Sequence, residues 1–214
     1  MAENYFNAQT GANGHEYVDL GLPSGTLWAT CNIGATKPEE YGDYFAWGET
    51  STKDTYDWTT YKYSKGDEDE LTKYCDDYSD YGYNGFTDSL TELQRGDDPA
   101  TANWGRGWQT PSYEQWEELL ANTTSKWTTQ NGVEGRLFTS KKNGQSLFLP
   151  AAGRWVPELR DVGSDGHYWS SSLDTGDPRS AWRFYFYSAT CEMSSYGSRD
   201  DGLSVRAVRS ARQN

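Results

Sequence analysis

Apolar residues in this chain come in short runs cut by glycine, proline and asparagine, with one clear stretch of helical spacing. Glu16–Leu20 and Thr26–Asn32 read as two strands joined by Gly21-Leu22-Pro23-Ser24-Gly25, a segment rich in turn formers. Tyr44–Trp47 reads as a further short strand. The segment from Asp54 to Asp88 is polar, tyrosine-rich and aperiodic, which predicts a long surface insertion and not a second domain. Thr110-Pro111-Ser112 predicts a helix start, with Thr110 as N-cap and Pro111 in the first turn, where its missing N–H would have no partner anyway. Tyr113, Trp116, Leu119 and Leu120 then share one helical face, while Glu114, Glu117 and Glu118 lie off it near the positive helix end. Asp98-Pro99 repeats the cap-plus-proline signal and predicts a shorter helix through Ala102.

Beyond the helix the period returns to two. Val133–Thr139 and Gln145–Leu149 flank Lys141-Lys142-Asn143-Gly144, and Asn-Gly is a tight-turn signal. His167–Ser171 and Leu203–Val208 read as strands, the latter closing the fold against the N-terminal strands. In Trp182-Arg183-Phe184-Tyr185-Phe186-Tyr187, alternation puts Trp182, Phe184 and Phe186 on the inner side and Arg183, Tyr185 and Tyr187 on the outer. Ser188–Asp201 carries turn formers and small polar residues without a helical period, so it is expected to run back beside that strand.

Composition sharpens this picture. The 214 residues suit one domain, since domains run roughly 100–200 residues. Only 35% are hydrophobic, but 10 Trp and 16 Tyr offer large area per side chain, with Trp expected in the core and the surplus Tyr at the surface. A net charge of -13 argues against nucleic acid as partner, because phosphate binding rests on Lys and Arg. The acidic run Asp67-Glu68-Asp69-Glu70 reads as a solvated loop. No stretch approaches the roughly 20 apolar residues of a membrane span, so no direct membrane insertion is expected. Met1-Ala2-Glu3-Asn4-Tyr5 has neither a basic start nor an apolar run, so no signal peptide is visible. Cys31, Cys75 and Cys191 are odd in number and widely spaced, which is not a disulfide framework, though one pair could bridge.

Several runs carry more than pattern. They include Tyr17-Val18-Asp19-Leu20-Gly21-Leu22-Pro23-Ser24-Gly25-Thr26-Leu27-Trp28-Ala29, Tyr44-Phe45-Ala46-Trp47-Gly48-Glu49 and Asp97-Asp98-Pro99-Ala100-Thr101-Ala102-Asn103-Trp104-Gly105. Others are Trp108-Gln109-Thr110-Pro111, Phe148-Leu149-Pro150-Ala151-Ala152-Gly153-Arg154, Tyr168-Trp169-Ser170-Ser171-Ser172 and Gly202-Leu203-Ser204-Val205-Arg206-Ala207-Val208. Together, from about Tyr17 to Val208 and in order, they resemble the Fibrobacter succinogenes major paralogous domain family of gut Bacteroidetes and their phages. The resemblance implies an α+β, C-type-lectin-like fold over the whole chain 1–214, with a core of about residues 15–209 and the insertion at about 54–88. It implies kinship with the variable proteins of diversity-generating retroelements, which display changed residues on a ligand-binding face near the C-terminus. It also points to an extracellular, cell-surface or phage-virion location and to adhesion to an unknown protein or glycan on a cell surface.

The matching window runs from Trp182 to Arg206. By the family pattern Trp182, Phe184, Phe186, Met193, Arg199, Gly202, Val205 and Arg206 look like framework. Between them stand the candidate ligand-binding residues Arg183, Tyr185, Tyr187, Thr190, Ser194, Ser195, Tyr196, Ser198, Asp200 and Asp201. Each is a residue that an Asn-type codon reaches when its adenines change; Glu192 is not. A mix of Tyr, Arg and Ser also suits an antibody-like contact surface. The competing reading is that Arg183, Tyr185 and Tyr187 are ordinary solvent-facing strand residues.

Other chemistry is poorly supported. Calcium takes roughly six to eight oxygen ligands. The lectin tripeptides Glu-Pro-Asn and Gln-Pro-Asp are absent, Asp98 reads as a cap and Asp177-Pro178 as a turn, so no metal or other cofactor is expected. The formylglycine-generating enzymes of the same fold branch use a C-terminal cysteine pair, whereas only Cys191 stands there. His15 and His167 sit beside glycines, read as structural turn residues, and are far in sequence from that thiol. No catalytic residue is expected. The chain is read as a binding module; a structural surface domain without a pocket, or an inactive relative of those enzymes, is the alternative.

Overall fold

The computed structural model describes residues 8–10, 12–76 and 80–211. The chain begins with strands β1 (Gln9–Thr10), β2 (Glu16–Val18), β3 (Thr26–Ala29) and β4 (Tyr44–Phe45), followed by helices α1 (Pro99–Trp104) and α2 (Tyr113–Asn122). Then come β5 (Thr123–Gln130), β6 (Val133–Ser140), β7 (Ser146–Pro150), β8 (Arg154–Trp155) and β9 (Leu159–Arg160). The last strands are β10 (Gly166–Leu173), β11 (Ser180–Phe186), β12 (Cys191–Ser198), β13 (Leu203–Ser204) and β14 (Val208–Ser210). Most pairings are antiparallel, so the fold is sheet-rich α+β. No helix among the described residues is long and apolar enough to cross a membrane.

Among the described residues four sheets form, ordered β1-β2-β3-β14, β12-β11-β10-β13-β4, β5-β6-β7 and β8-β9. The first and last strands share the first sheet, with Val208 opposite Trp28. The expected strand Leu203–Val208 is instead divided. Leu203–Ser204 joins the second sheet beside β4 and β10, and the chain then crosses to the first sheet. Arg206 sits at the crossing, fully buried, donating from Nε to Asn32 Oδ1 at 2.9 Å and from Nη1 to the carbonyls of Ala29 and Thr30.

Local chemistry accounts for the helix ends. Asp98 caps α1 as expected, accepting from the Ala100 and Thr101 amides. The cap of α2 is Ser112 and not Thr110. Ser112 and Gln115 form a reciprocal capping box, which satisfies two helix-end donors at once. Thr110 is drawn off to Asp98, its hydroxyl donating to Oδ1 at 2.7 Å. Strand β5 had no apolar alternation to reveal it. It forms because Asn131 and Gly132, both at positive φ, close a two-residue turn that zips Thr123–Gln130 onto β6.

Two cores lie on either side of the second sheet. One gathers Trp47, Tyr61, Tyr74, Trp108, Trp169 and Ala181; the other gathers Trp28, Trp116, Phe138, Tyr168, Phe184 and Phe186. Adjacent residues Tyr168 and Trp169 thus point into different cores, and all eight residues of β10 are buried. Indole N–H groups are placed: Trp47 donates to Ser170 O and Trp169 to Phe45 O. The insertion has little regular structure, yet Tyr56, Tyr61, Tyr63 and Tyr74 are buried in the first core, against the expectation of surface tyrosines. Three of the phenols find partners there, Tyr56 on Tyr44 O, Tyr61 on Trp47 O and Tyr74 on Asp97, whereas the Tyr63 hydroxyl is buried with none. The acidic run is partly paired, with Glu68 and Asp69 reaching Arg179. No disulfide joins Cys31, Cys75 or Cys191 to another described residue.

Candidate functional site

Strand β11 carries the predicted site, and β12 returns antiparallel beside it, as expected for Ser188–Asp201. The pairing steps from Ala181–Gly197 to Arg183–Ser194, so Ser195 and Tyr196 together stand opposite Trp182. A bulge of this kind bends the strand and re-aims its side chains. Tyr196 is 83% exposed and Tyr187 37%, the two most exposed of the expected contact residues. Tyr185, Thr190, Ser194, Ser195 and Ser198 are half-buried.

The rest of the set departs from expectation. Arg183, Asp200 and Asp201 are only 8%, 8% and 5% exposed. The period-two reading assumed solvent on the side opposite Phe184. That side instead continues the surface of Trp169, which Arg183 pairs with across β10, and it is covered near its centre. Trp182, expected in the core, is half-buried and packs edge-on against Tyr113 at 4.7 Å. Trp28, Trp47, Trp104 and Trp169 are buried as expected. Tyr187 lies at the β11–β12 turn and Tyr196 five residues along β12 from Cys191, roughly 17 Å at 3.3–3.4 Å per residue. The exposed tyrosines therefore stand toward opposite ends of the hairpin.

Beside Tyr185 is a cluster of buried and half-buried polar side chains, a polar basin that the sequence did not reveal. His167, opposite Tyr185, lies inside strand β10 and not in a turn. It is 2% exposed, its ring 4.9 Å from that of Tyr185. Arg154 on β8 reaches Asp161 at 3.4 Å and Asp201 at 3.9 Å. The Tyr185 hydroxyl donates to Asp165 at 2.9 Å, and Ser198 donates to Asp200. The hairpin β8–β9 is held over this region by the Trp155–Gly202 bridge.

The electrostatics follow from burial. Removal from water, then the neighbouring Asp200 charge, pushes the Asp201 carboxyl up to about 7, against the opposing pull of Arg154 and Arg183. Burial likewise raises Asp200, offset by the Ser198 hydroxyl. His167 is driven down to about 2 by burial and by the Arg183 and Arg154 cations, so its imidazole is neutral. Tyr185 rises to about 12 through burial and its bond to Asp165. Both ring nitrogens of His167, and Nε and Nη1 of Arg183, are buried without a hydrogen-bond partner. Buried polar groups are satisfied in the great majority of cases, and each exception costs about 1–3 kcal/mol.

No protein-family model, no curated protein and no solved structure matches this chain. A cavity of about 510 Å³ lined by Glu92, Arg95, Asp98, Arg106, Thr110 and Ser171 shares no lining residue with the basin. Asp98 is already committed there to capping α1 and holding Thr110. The sequence signal for the basin was available in part: Asp165 and His167 are two apart at a strand entry, which sets both on one side. Arg154 had no such signal, because its place depends on the β8–β9 hairpin.

Proposed function

We propose that this chain is a C-type-lectin-like recognition module. It binds a protein or glycan at a cell or virion surface through β11, β12 and the turn to Asp201, and it catalyses nothing. One observation carries the reading. Tyr187 is exposed and Tyr185 half-buried on the same side of β11 as Arg183, whose Nε and Nη1 are buried without a partner near Asp201, while exposed Tyr196 stands on β12 opposite Trp182. A fold tolerates such unsatisfied polarity mainly where function uses it. Tyrosine and serine on these strands supply large contact area and adaptable hydrogen bonds at low entropic cost. The framework residues Phe184, Phe186, Arg199, Val205 and Arg206 are fully buried, whereas Tyr187 and Tyr196 are exposed and free to vary without loss of the core.

Two experiments test this. The full chain is screened against a glycan array and a displayed library of bacterial surface proteins, and each hit is repeated with the variant Y187A/Y196A. A hit weakened about 30-fold, equivalent to about 2 kcal/mol, supports the face. Hits that bind the variant as well as the parent place the contact elsewhere. Separately, a neighbouring reverse transcriptase gene with an adenine-rich near-copy of the codons for Trp182 to Arg206 supports diversification of the face; genomic neighbourhoods lacking both remove that part of the proposal.

A further inference from the structure

The turn after β9 and the start of β10 bring three metal-ligating side chains to one point. Asp161, Asp165 and His167 each place a ligand atom within 4.8 Å of the other two. The turn is fixed by its own backbone: the amides of Ser164 and Asp165 both donate to the Asp161 carbonyl, and the Gly163 amide donates to Ala151 O. Asp161 is held at φ 62°, in the left-handed region that a non-glycine residue seldom adopts. Asp165 and His167, two residues apart at the strand entry, project to the same side.

We propose that Asp161, Asp165 and His167 bind a divalent transition-metal ion of the zinc class. The imidazole decides it. His167 is 2% exposed and neither ring nitrogen has a partner, so a buried ligand lone pair is turned toward two carboxylates with nothing else to receive it. An imidazole donor favours zinc, cobalt, nickel or copper, whereas calcium and magnesium prefer an all-oxygen shell. The carboxylates are already oriented as metal ligands are, by outer hydrogen bonds: Tyr185 donates to Asp165 Oδ2 at 2.9 Å and Arg154 to Asp161 Oδ2 at 3.4 Å. Both bonds use Oδ2, which leaves Oδ1 of each for the ion. Arg154 and Arg183 oppose a cation, and the two ligand carboxylates, Asp161 and Asp165, face them. Three protein ligands leave a fourth position for water or for an oxygen of a bound partner. The proposal does not rest on the recognition reading, although Tyr185 touches both sites.

The test uses the full, untagged chain stripped with EDTA and titrated at neutral pH with zinc(II) by calorimetry and with cobalt(II) by visible absorption. One equivalent is expected, with the intense visible bands of four- or five-coordinate cobalt and no thiolate charge-transfer absorption from the three cysteines. Asp161→Asn and Asp165→Asn should each weaken binding by about 10- to 100-fold, and His167→Ala by at least that much. His15→Ala should change nothing. Asp161 is the exposed member, so its variant folds even if the His167 variant does not. Failure to bind zinc at millimolar concentration, retention of the equivalent in both aspartate variants, or a thiolate band would each overturn the site. Loss of glycan or protein binding by Y187A/Y196A, with zinc binding intact, would separate the two sites.

Discussion

Nε of Arg199 donates to the Tyr61 hydroxyl at 2.9 Å, inside the first core and wholly out of solvent. Its other nitrogens donate to the carbonyls of Tyr74, Pro178 and Lys73. The guanidinium also lies over the rings of Trp47, Tyr61 and Tyr74. One side chain thereby pins the irregular insertion to the end of β12. Replacing it strands several buried carbonyls at about 1–3 kcal/mol each. Arg199→Leu should therefore cost at least about 3 kcal/mol, and Tyr61→Phe about 1–2 kcal/mol. A double-mutant cycle by urea unfolding should show the two to be coupled. Additive effects would mean that the Arg199–Tyr61 bond contributes nothing of its own.

Burial of the tryptophans separates two that sequence alone treats alike. Trp47 is fully buried with its N–H on Ser170 O, and Trp47→Ala should cost about 3–5 kcal/mol. Trp182 is half-buried against Tyr113, so Trp182→Ala should cost clearly less. Equal losses in thermal melts would restore Trp182 to the core.

Legibility in the sequence followed how local each determinant was. Strand alternation at Phe184 and Phe186, the Asp98 cap and the α2 face depend on neighbours a few residues away, and they stand where the pattern puts them. The burial of Arg183, Asp200 and Asp201 is not legible in the sequence, because it depends on what covers that side of the sheet. No periodicity encodes that covering layer. The buried tyrosines of the insertion were missed for a related reason: aperiodic chain packs when its phenols reach carbonyls such as Tyr44 O and Trp47 O, partners remote from any local motif.

Asp201 gives a pH signature. Its folded pKa of about 7 lies above the unfolded value near 3.8, so the folded state holds the proton longer. Between about pH 4 and pH 7 the unfolded chain therefore binds fewer protons, and stability falls as pH rises through that window. Burial sets the rise, Asp200 adds to it, and Arg154 and Arg183 oppose it. Asp201→Asn should remove this slope, matching the parent near pH 4 and exceeding it at pH 8 by at most a few kcal/mol, since one pKa unit is about 1.4 kcal/mol. Parent and variant curves that stay parallel from pH 4 to pH 8 would show that Asp201 titrates normally.

Arg183 separates function from stability most directly. Its Nε and Nη1 are buried without partners beside Asp201. Methionine has similar length and no donors to leave unsatisfied, and replacing unpaired buried polar groups by apolar atoms is often neutral or stabilising. At pH 6, where Asp201 still largely holds its proton, Arg183→Met should keep stability within about 1 kcal/mol of the parent or raise it. If the guanidinium is held for a ligand, the same change should weaken binding of any partner that depends on Tyr187 and Tyr196, by about 10-fold or more. The measurement is a pair: a urea midpoint at pH 6 and a titration with that partner. Stability lost together with binding would make Arg183 part of the scaffold. Stability kept with undiminished binding would confine recognition to the exposed tyrosines.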